Sequence, residues 1–97
     1  MAKLTKRRRF VDVLGVRVKI KYTSKEMYDD DTELHGAFCP STMTIFVSTQ
    51  SDVSATILHE ICHAILAISG VGSMINMKTE EAIVSALESG LKEYFKF

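Results

Sequence analysis

The chain has 97 residues, of which 46% are hydrophobic, and its 12 basic and 12 acidic residues give a formal net charge of zero. This length predicts one domain with a modest core, and the balanced charge gives no global indication of a nucleic-acid partner. No apolar run approaches the ~20 residues that span a bilayer, and no apolar run follows the basic N-terminus as in a signal peptide. With only two cysteines, Cys39 and Cys62, we expect free thiols and a cytoplasmic protein.

The N-terminal part of the chain predicts a basic tail followed by strands. Five of residues 1–9 are basic, and a solvated tail is favoured over contact with a nucleic acid or an acidic partner because the net charge is zero. From Val16 to residue 22 apolar and basic residues alternate strictly, as in a half-buried strand. Gly15 indicates a turn or a bulge after a first short strand.

The middle of the chain predicts an acidic loop and a hairpin. Residues 23–36 are polar, and the carboxylates at 29–33 do not have the spacing of a calcium-binding EF-hand loop, so we expect a solvated loop. Residues 34–38 form a predicted short strand that pairs with a second one, Met43–Thr49, across the turn at 39–41. His35 is a candidate third metal ligand or transition-state donor, although a locally bonded loop histidine is the favoured interpretation.

Two helices are predicted in the last half of the chain. Ser51 and Asp52 are N-cap candidates for a helix that runs to residue 69, where Gly70 follows as the C′ residue. Thr79 is the predicted cap of a helix from residue 80 to 97, and Gly90 within it predicts a close contact with another helix.

The sequence His59-Glu60-x-x-His63 lies within the first of these helices. Histidines four residues apart project from one face, about 6 Å apart along the axis, and can reach one metal ion. The helix is apolar nearly all round, which predicts burial. Unpaired buried polar groups cost about 2–7 kcal/mol each, so a metal ion is the expected partner. Glu60 would then stand beside the metal and accept a proton from water.

The third ligand is expected from the next helix, because a catalytic zinc usually has three protein ligands. Glu80 and Glu81 open that helix after a glycine-containing loop at 70–78. On a helical wheel Glu80 lies at the centre of the apolar stripe, whereas Glu81 lies on a flank. Both residues can also be explained as acids placed at a helix N-terminus, where the helix dipole favours them.

The two histidines and Glu60, followed by a helix that opens Glu80-Glu81-x-Ile83-Val84, resemble the gluzincin zinc peptidases, and more closely the small phage-type and ImmA/IrrE-like metallopeptidases. The resemblance covers about residues 34–97. It implies zinc as the cofactor, with a glutamate of the downstream helix as the third ligand. The family pattern favours Glu81, and Glu80 is the alternative. The chain departs from larger gluzincins in having no evident residue to stabilise the oxyanion, for which Tyr94 and His35 are possible substitutes.

These observations predict an α+β fold in a single domain of residues 1–97. A small antiparallel sheet from residues 10–22 and 34–49 would pack on the motif helix and the C-terminal helix. We expect a zinc metallopeptidase with His59, His63 and Glu81 as ligands and Glu60 as general base. By resemblance, the strand Met43–Thr49 would border the cleft and pair with an extended peptide substrate.

Two alternatives stay open. One is a zinc amidohydrolase resembling peptide deformylase, with Cys39 as the third ligand. The other is a non-catalytic binding module stabilised by zinc. We expect neither a nucleic acid nor a membrane as a partner.

Overall fold

A computed structural model of the chain describes residues 7–24, 27–29 and 32–95. These residues contain strands and helices in the order expected of an α+β protein. The strands are β1 (Phe10–Val13), β2 (Val16–Thr23), β3 (Met27–Asp29), β4 (Thr32–Leu34), β5 (Gly36–Cys39) and β6 (Thr44–Ser48). The helices are α1 (Val53–Ser69) and α2 (Met77–Leu91), which are joined through a short 3-10 turn, Val71–Met74.

Four of the strands form one sheet, in the order β1-β2-β6-β5. The expected α+β arrangement of a sheet packed against two helices is confirmed, as is the hairpin of β5 and β6. The sheet is not wholly antiparallel, however, because β2 and β6 run parallel. The chain between them crosses over and supplies β5 as the last strand instead of turning directly back. Strand β6 is therefore bonded on both sides, and β1 and β5 are the two edge strands of this sheet among the described residues.

The predicted turn at Gly15 is also confirmed. Strands β1 and β2 are joined by Leu14 and Gly15, whose φ angles are 50° and 81°. Positive φ at both central residues is the condition for the two-residue turn that matches strand twist, and glycine meets it without a steric penalty.

The core lies between one face of the sheet and α1. Alternate residues of β2 and β6 point to this face, and Val18, Ile45 and Val47 are fully buried there. Ile57 and Ala64 of α1 pack against them and are also fully buried. A second, smaller cluster of Leu58, Cys62, Leu66 and Val84 joins α1 to α2. These two clusters fix the position of α1, and therefore of His59, Glu60 and His63 within it.

The bounds of α1 agree with the prediction. The Asp52 carboxylate accepts a hydrogen bond from the Ala55 N–H at 3.2 Å, and Gly70 ends the helix with a φ of 85°. Glycine is the usual residue at this left-handed position because it has no Cβ.

Helix α2 differs from the prediction. It begins earlier, at Met77, because the side chain of Asn76 rather than Thr79 caps it, accepting from the Thr79 N–H at 2.7 Å. It ends at Leu91, and residues 96–97 lie outside the described part of the chain. The close contact predicted at Gly90 is wrong, since a Cβ there would meet no atom within 4 Å.

The acidic segment contains a hairpin that its polar sequence concealed. Strands β3 and β4 pair in antiparallel fashion as a separate two-stranded sheet. Each has three residues, too few for an alternating pattern to be recognised. Asp30 and Asp31 of the predicted loop lie outside the described residues.

The part of the basic tail that the structure describes, residues 7–9, runs alongside β2. The Ile20 N–H donates to the Arg9 carbonyl at 2.7 Å, and the Tyr22 hydroxyl donates to the Arg8 carbonyl at 2.8 Å. Residues 1–6 are outside the described range. Within that range, neither helix has the length and hydropathy needed to cross a membrane.

Candidate metal centre

The two histidines of α1 and a glutamate of α2 converge. The imidazole rings of His59 and His63 have their centroids 5.0 Å apart. The Glu81 carboxylate lies against both rings, with Oε2 3.1 Å from His63 Nε2 and Oε1 3.7 Å from His59 Nε2. One ligand atom from each residue lies within 4.8 Å of the other two, so the three side chains could hold a metal ion.

The spacing of these atoms fits a small tetrahedral ion. Two donor atoms that are each about 2.1 Å from such an ion lie about 3.4 Å from each other. Glu81 comes near that value with a different oxygen on each ring, since Oε2 lies 3.1 Å from His63 Nε2 and Oε1 lies 3.7 Å from His59 Nε2. Two imidazole nitrogens and one carboxylate are also a donor set that proteins use for catalytic zinc.

Two other glutamates of α2 contact the Nδ1 atoms of the two imidazole rings. Glu88 Oε1 lies 2.7 Å from His59 Nδ1, and Glu80 Oε2 lies 2.6 Å from His63 Nδ1. A carboxylate at Nδ1 accepts the proton of that nitrogen, which leaves the Nε2 lone pair free to bind a metal. The ring orientations are therefore set by α2 as well as by α1.

Glu60 is buried beside the histidines. Glu60 is only 7% exposed, and this burial raises the pKa of its carboxyl group. The nearby His63 and His59 oppose this rise, whereas the carboxylates of Glu81 and Glu88 add to it. A carboxyl group with a raised pKa is a stronger base when ionised, which suits a proton acceptor.

These residues line a cleft of about 850 Å³ between the helices and β5. On the β5 side the cleft is lined by residues 35–38, and Gly36 faces α1. A Cβ at Gly36 would lie 2.5 Å from Thr56 Cγ2, 2.9 Å from the Phe46 carbonyl oxygen and 3.4 Å from Glu60 Cγ. Glycine thus lets the edge strand approach Glu60 closely.

The other predicted candidates are placed differently. His35 is exposed and lines the cleft. Cys39 is on β5 and, among the described residues, does not belong to the group that could hold a metal. Tyr94 is 76% exposed and is not a cleft residue.

The expectation that Met43–Thr49 pairs with a substrate strand conflicts with the sheet order. Strand β6 already has β2 on one side and β5 on the other, so its backbone groups have partners in both directions. The strand that borders the cleft and has a free side is β5.

Glu88 was missed by sequence reasoning. It lies seven residues after Glu81, a spacing that returns to the same face of a helix after two turns. Once Glu81 is taken to face the histidines, that spacing predicts that Glu88 faces them as well.

The assembled site has nitrogen and oxygen donors for a metal, a buried carboxylate beside them, and a cleft bordered by a strand edge. Comparisons of the chain with protein-family models, with curated proteins and with solved structures find no match in any of the three.

Proposed function

We propose that this chain is a zinc metallopeptidase that hydrolyses peptide bonds in the cleft between α1, α2 and β5. The observation that carries the proposal is the convergence of His59, His63 and Glu81 beside the buried carboxylate of Glu60. Two free cysteines, one of them buried, are consistent with the cytoplasm as its location.

Zinc is the metal that the donor set favours. Imidazole and carboxylate ligands in a three-residue set leave a position for water or substrate, as in catalytic zinc sites. When bound, zinc would act as a Lewis acid and lower the pKa of water. His59, His63 and Glu81 would hold it, and the Glu88 and Glu80 carboxylates would keep both rings in the required tautomer.

Glu60 is the proposed general base. It takes a proton from the water that attacks the scissile carbonyl carbon, and it then gives that proton to the leaving amine nitrogen. Its burial raises its pKa towards the range where it can perform both transfers. His35, exposed on the β5 side of the cleft, is the candidate donor to the developing oxyanion.

The substrate is proposed to bind as an extended strand along β5. The free edge of this strand offers backbone donors and acceptors next to the cleft, as in other proteins that bind peptides by adding a strand. The absence of a Cβ at Gly36 lets that edge pack against α1 near Glu60, so a bound peptide would pass the proposed base.

The amidohydrolase alternative with Cys39 as ligand has less support, because Glu81 rather than Cys39 accompanies the histidines. The non-catalytic alternative differs in only one respect that can be measured, which is turnover. A zinc-stabilised binding module would keep the metal and cleave nothing.

The deciding experiment compares wild type with Glu60→Gln on a library of quenched fluorescent peptides, with zinc content measured on the same samples. Glu93→Gln, which makes the same change at an exposed position near the end of α2, is the matched control. The expected result is one zinc per chain in all three proteins and cleavage lost only in Glu60→Gln. Full activity in Glu60→Gln would refute the mechanism, and zinc without turnover in wild type would favour the binding module.

A further inference from the structure

The face of the main sheet that points away from α1, here called the outer face, carries a row of cations. Arg17, Lys19 and Lys21 are exposed on β2, and they alternate with the buried Val18 and Ile20 that face the core. Side chains two residues apart on a strand lie about 6.6–6.8 Å from each other. The three positive groups therefore form a straight line along one strand.

Aromatic rings flank this row on both sides. The strand register places Phe10 of β1 beside Lys19 and Phe46 of β6 beside Lys21. Phe10 is 43% exposed, and the Arg17 guanidinium lies 5.1 Å from the centre of its ring. Phe46 is half-buried between the fully buried Ile45 and Val47, whose side chains take the core side.

The outer face has few acidic groups to neutralise these positive charges. Of the described side chains that β1, β2, β5 and β6 direct to the outer face, Asp12 is the single acid, and it lies 3.7 Å from Arg17. The sequence has the same asymmetry, because residues 1–21 contain eight of the twelve basic residues and one of the twelve acidic residues. The zero net charge gave no indication of a nucleic-acid partner, but it is the sum of a basic region at residues 1–21 and an acidic remainder of the chain.

The basic segment before β1 lies beside the same strand. The Ile20 N–H donates to the Arg9 carbonyl, and the Arg7 guanidinium lies 5.1 Å from the centre of the Tyr22 ring. Tyr22 alternates with Lys21 and belongs to the core side of β2, so Arg7 adds positive charge near the end of this strand but not to the row on the outer face.

We propose that the outer face binds single-stranded nucleic acid. A line of cations at the spacing of alternate strand residues can follow a phosphate backbone, and rings beside it can stack with the bases. A duplex would not use the rings in this way because its base faces are already stacked. The site lies on the opposite side of the sheet from α1, so it is separate from the metal centre and does not depend on the proposed peptidase activity.

The test is binding of a fluorescein-labelled 15-nucleotide oligothymidylate, followed by fluorescence anisotropy between 50 and 200 mM NaCl. The variant Lys19→Gln/Lys21→Gln is compared with Lys78→Gln/Lys92→Gln, which removes the same charge from exposed positions on the other side of the molecule. We expect about tenfold weaker binding at 50 mM NaCl for the first variant alone. The slope of log K against log salt should fall by about 1.4, since each lost contact with a single strand contributes about 0.7.

A second variant tests the rings. Phe46→Leu keeps an apolar residue in β6 and should weaken oligothymidylate binding by about fivefold or more if bases stack there. Thermal melting of every variant checks the fold, and the single variant Lys21→Gln replaces the double variant if that one melts early.

Three results would overturn the proposal. The first is no binding of oligothymidylate by wild type at 50 mM NaCl, and the second is an equal loss of affinity in both lysine double variants. The third is competition by a 15-base-pair duplex or by polyglutamate that is as effective as competition by unlabelled oligothymidylate at the same concentration. That result would show a general polyanion or duplex site. Zinc content and peptide cleavage are measured separately and should be unchanged in the Lys19→Gln/Lys21→Gln variant.

Discussion

Glu80 and Glu81, which are adjacent in sequence, approach opposite nitrogens of the same ring. Glu80 Oε2 lies 2.6 Å from His63 Nδ1, and Glu81 Oε2 lies 3.1 Å from His63 Nε2. Neighbouring residues at the start of a helix point about 100° apart, so the pair brackets the imidazole. This geometry gives each glutamate a different expected role, one as a metal ligand and one as the support of a ligand.

The first prediction separates those roles by zinc affinity. Glu81→Ala removes a donor that lies between both histidines and should weaken zinc binding by more than about a hundredfold. Glu80→Ala removes a carboxylate that only orients His63, and such changes cost about 10–100-fold in metal affinity. Competition with a chromogenic chelator measures both values. A larger loss in Glu80→Ala than in Glu81→Ala would exchange the two assignments.

The second prediction concerns Glu88, which lies 2.7 Å from His59 Nδ1. Glu88→Ala should weaken zinc binding by about 10–100-fold because His59 loses the acceptor that fixes its tautomer. Glu88→Gln keeps an oxygen acceptor and should lose less. Glu93→Ala on the exposed end of the chain is the control, and an equal effect there would mean that Glu88 acts only through net charge.

The sequence predicted α1 well because its signals are local. The Asp52 cap, the C-terminal Gly70 and the apolar residues between them lie within one segment, and the structure agrees with both ends. The parallel pairing of β2 with β6 depends instead on how a long connection crosses over, and no local pattern records that. The sequence therefore predicted which segments of the main sheet form strands, but not the relative directions of all of these strands.

The orientation of α2 was the harder problem. The apolar stripe suggested that Glu80 faces the core, yet Leu87 and Leu91 of that stripe remain 42% and 44% exposed. The face turned to α1 has one fully buried apolar residue, Val84, and three glutamates that contact the histidines. The packing face of α2 thus includes part of the hydrophobic stripe, at Ile83 and Val84, together with the three glutamates, and a helical wheel that follows only apolar residues does not show those polar contacts.

The third prediction is that Cys39 is reactive near neutral pH. Hydrogen bonds from Ser41, first of all, and from Thr42 stabilise the thiolate and lower the Cys39 pKa to about 7, from an ordinary 9.0. About half of the thiol is then ionised at pH 7 and about a tenth at pH 6, so alkylation should rise through this interval.

Iodoacetamide labelling followed by peptide mass spectrometry gives this pH profile. Cys62, whose pKa is raised by burial, serves as the internal control and should react slowly throughout. Ser41→Ala should move the Cys39 midpoint upwards. A midpoint that stays near 9 in the wild type would disprove the role of these hydrogen bonds.

The last prediction concerns the close approach of β5 to α1 at Gly36. Gly36→Ala places a methyl group 2.5 Å from Thr56 Cγ2 and 2.9 Å from a carbonyl oxygen, so the strand or the helix must move. Overpacking of this kind costs about 1–3 kcal/mol, and we expect a corresponding fall in the free energy of unfolding. Removing the facing methyl group with Thr56→Ser should recover part of the loss, because the two sites are in contact.

Gly90→Ala is the matched control for that experiment. A Cβ at Gly90 meets no atom within 4 Å and the residue is inside α2, so alanine there should stabilise the protein by about 0.5–1 kcal/mol. Urea unfolding of the four variants, including the double variant, gives the coupling energy between residues 36 and 56. If Gly36→Ala is as stable as wild type, β5 is free to move away from α1, and the approach of the strand edge to Glu60 is not enforced by packing.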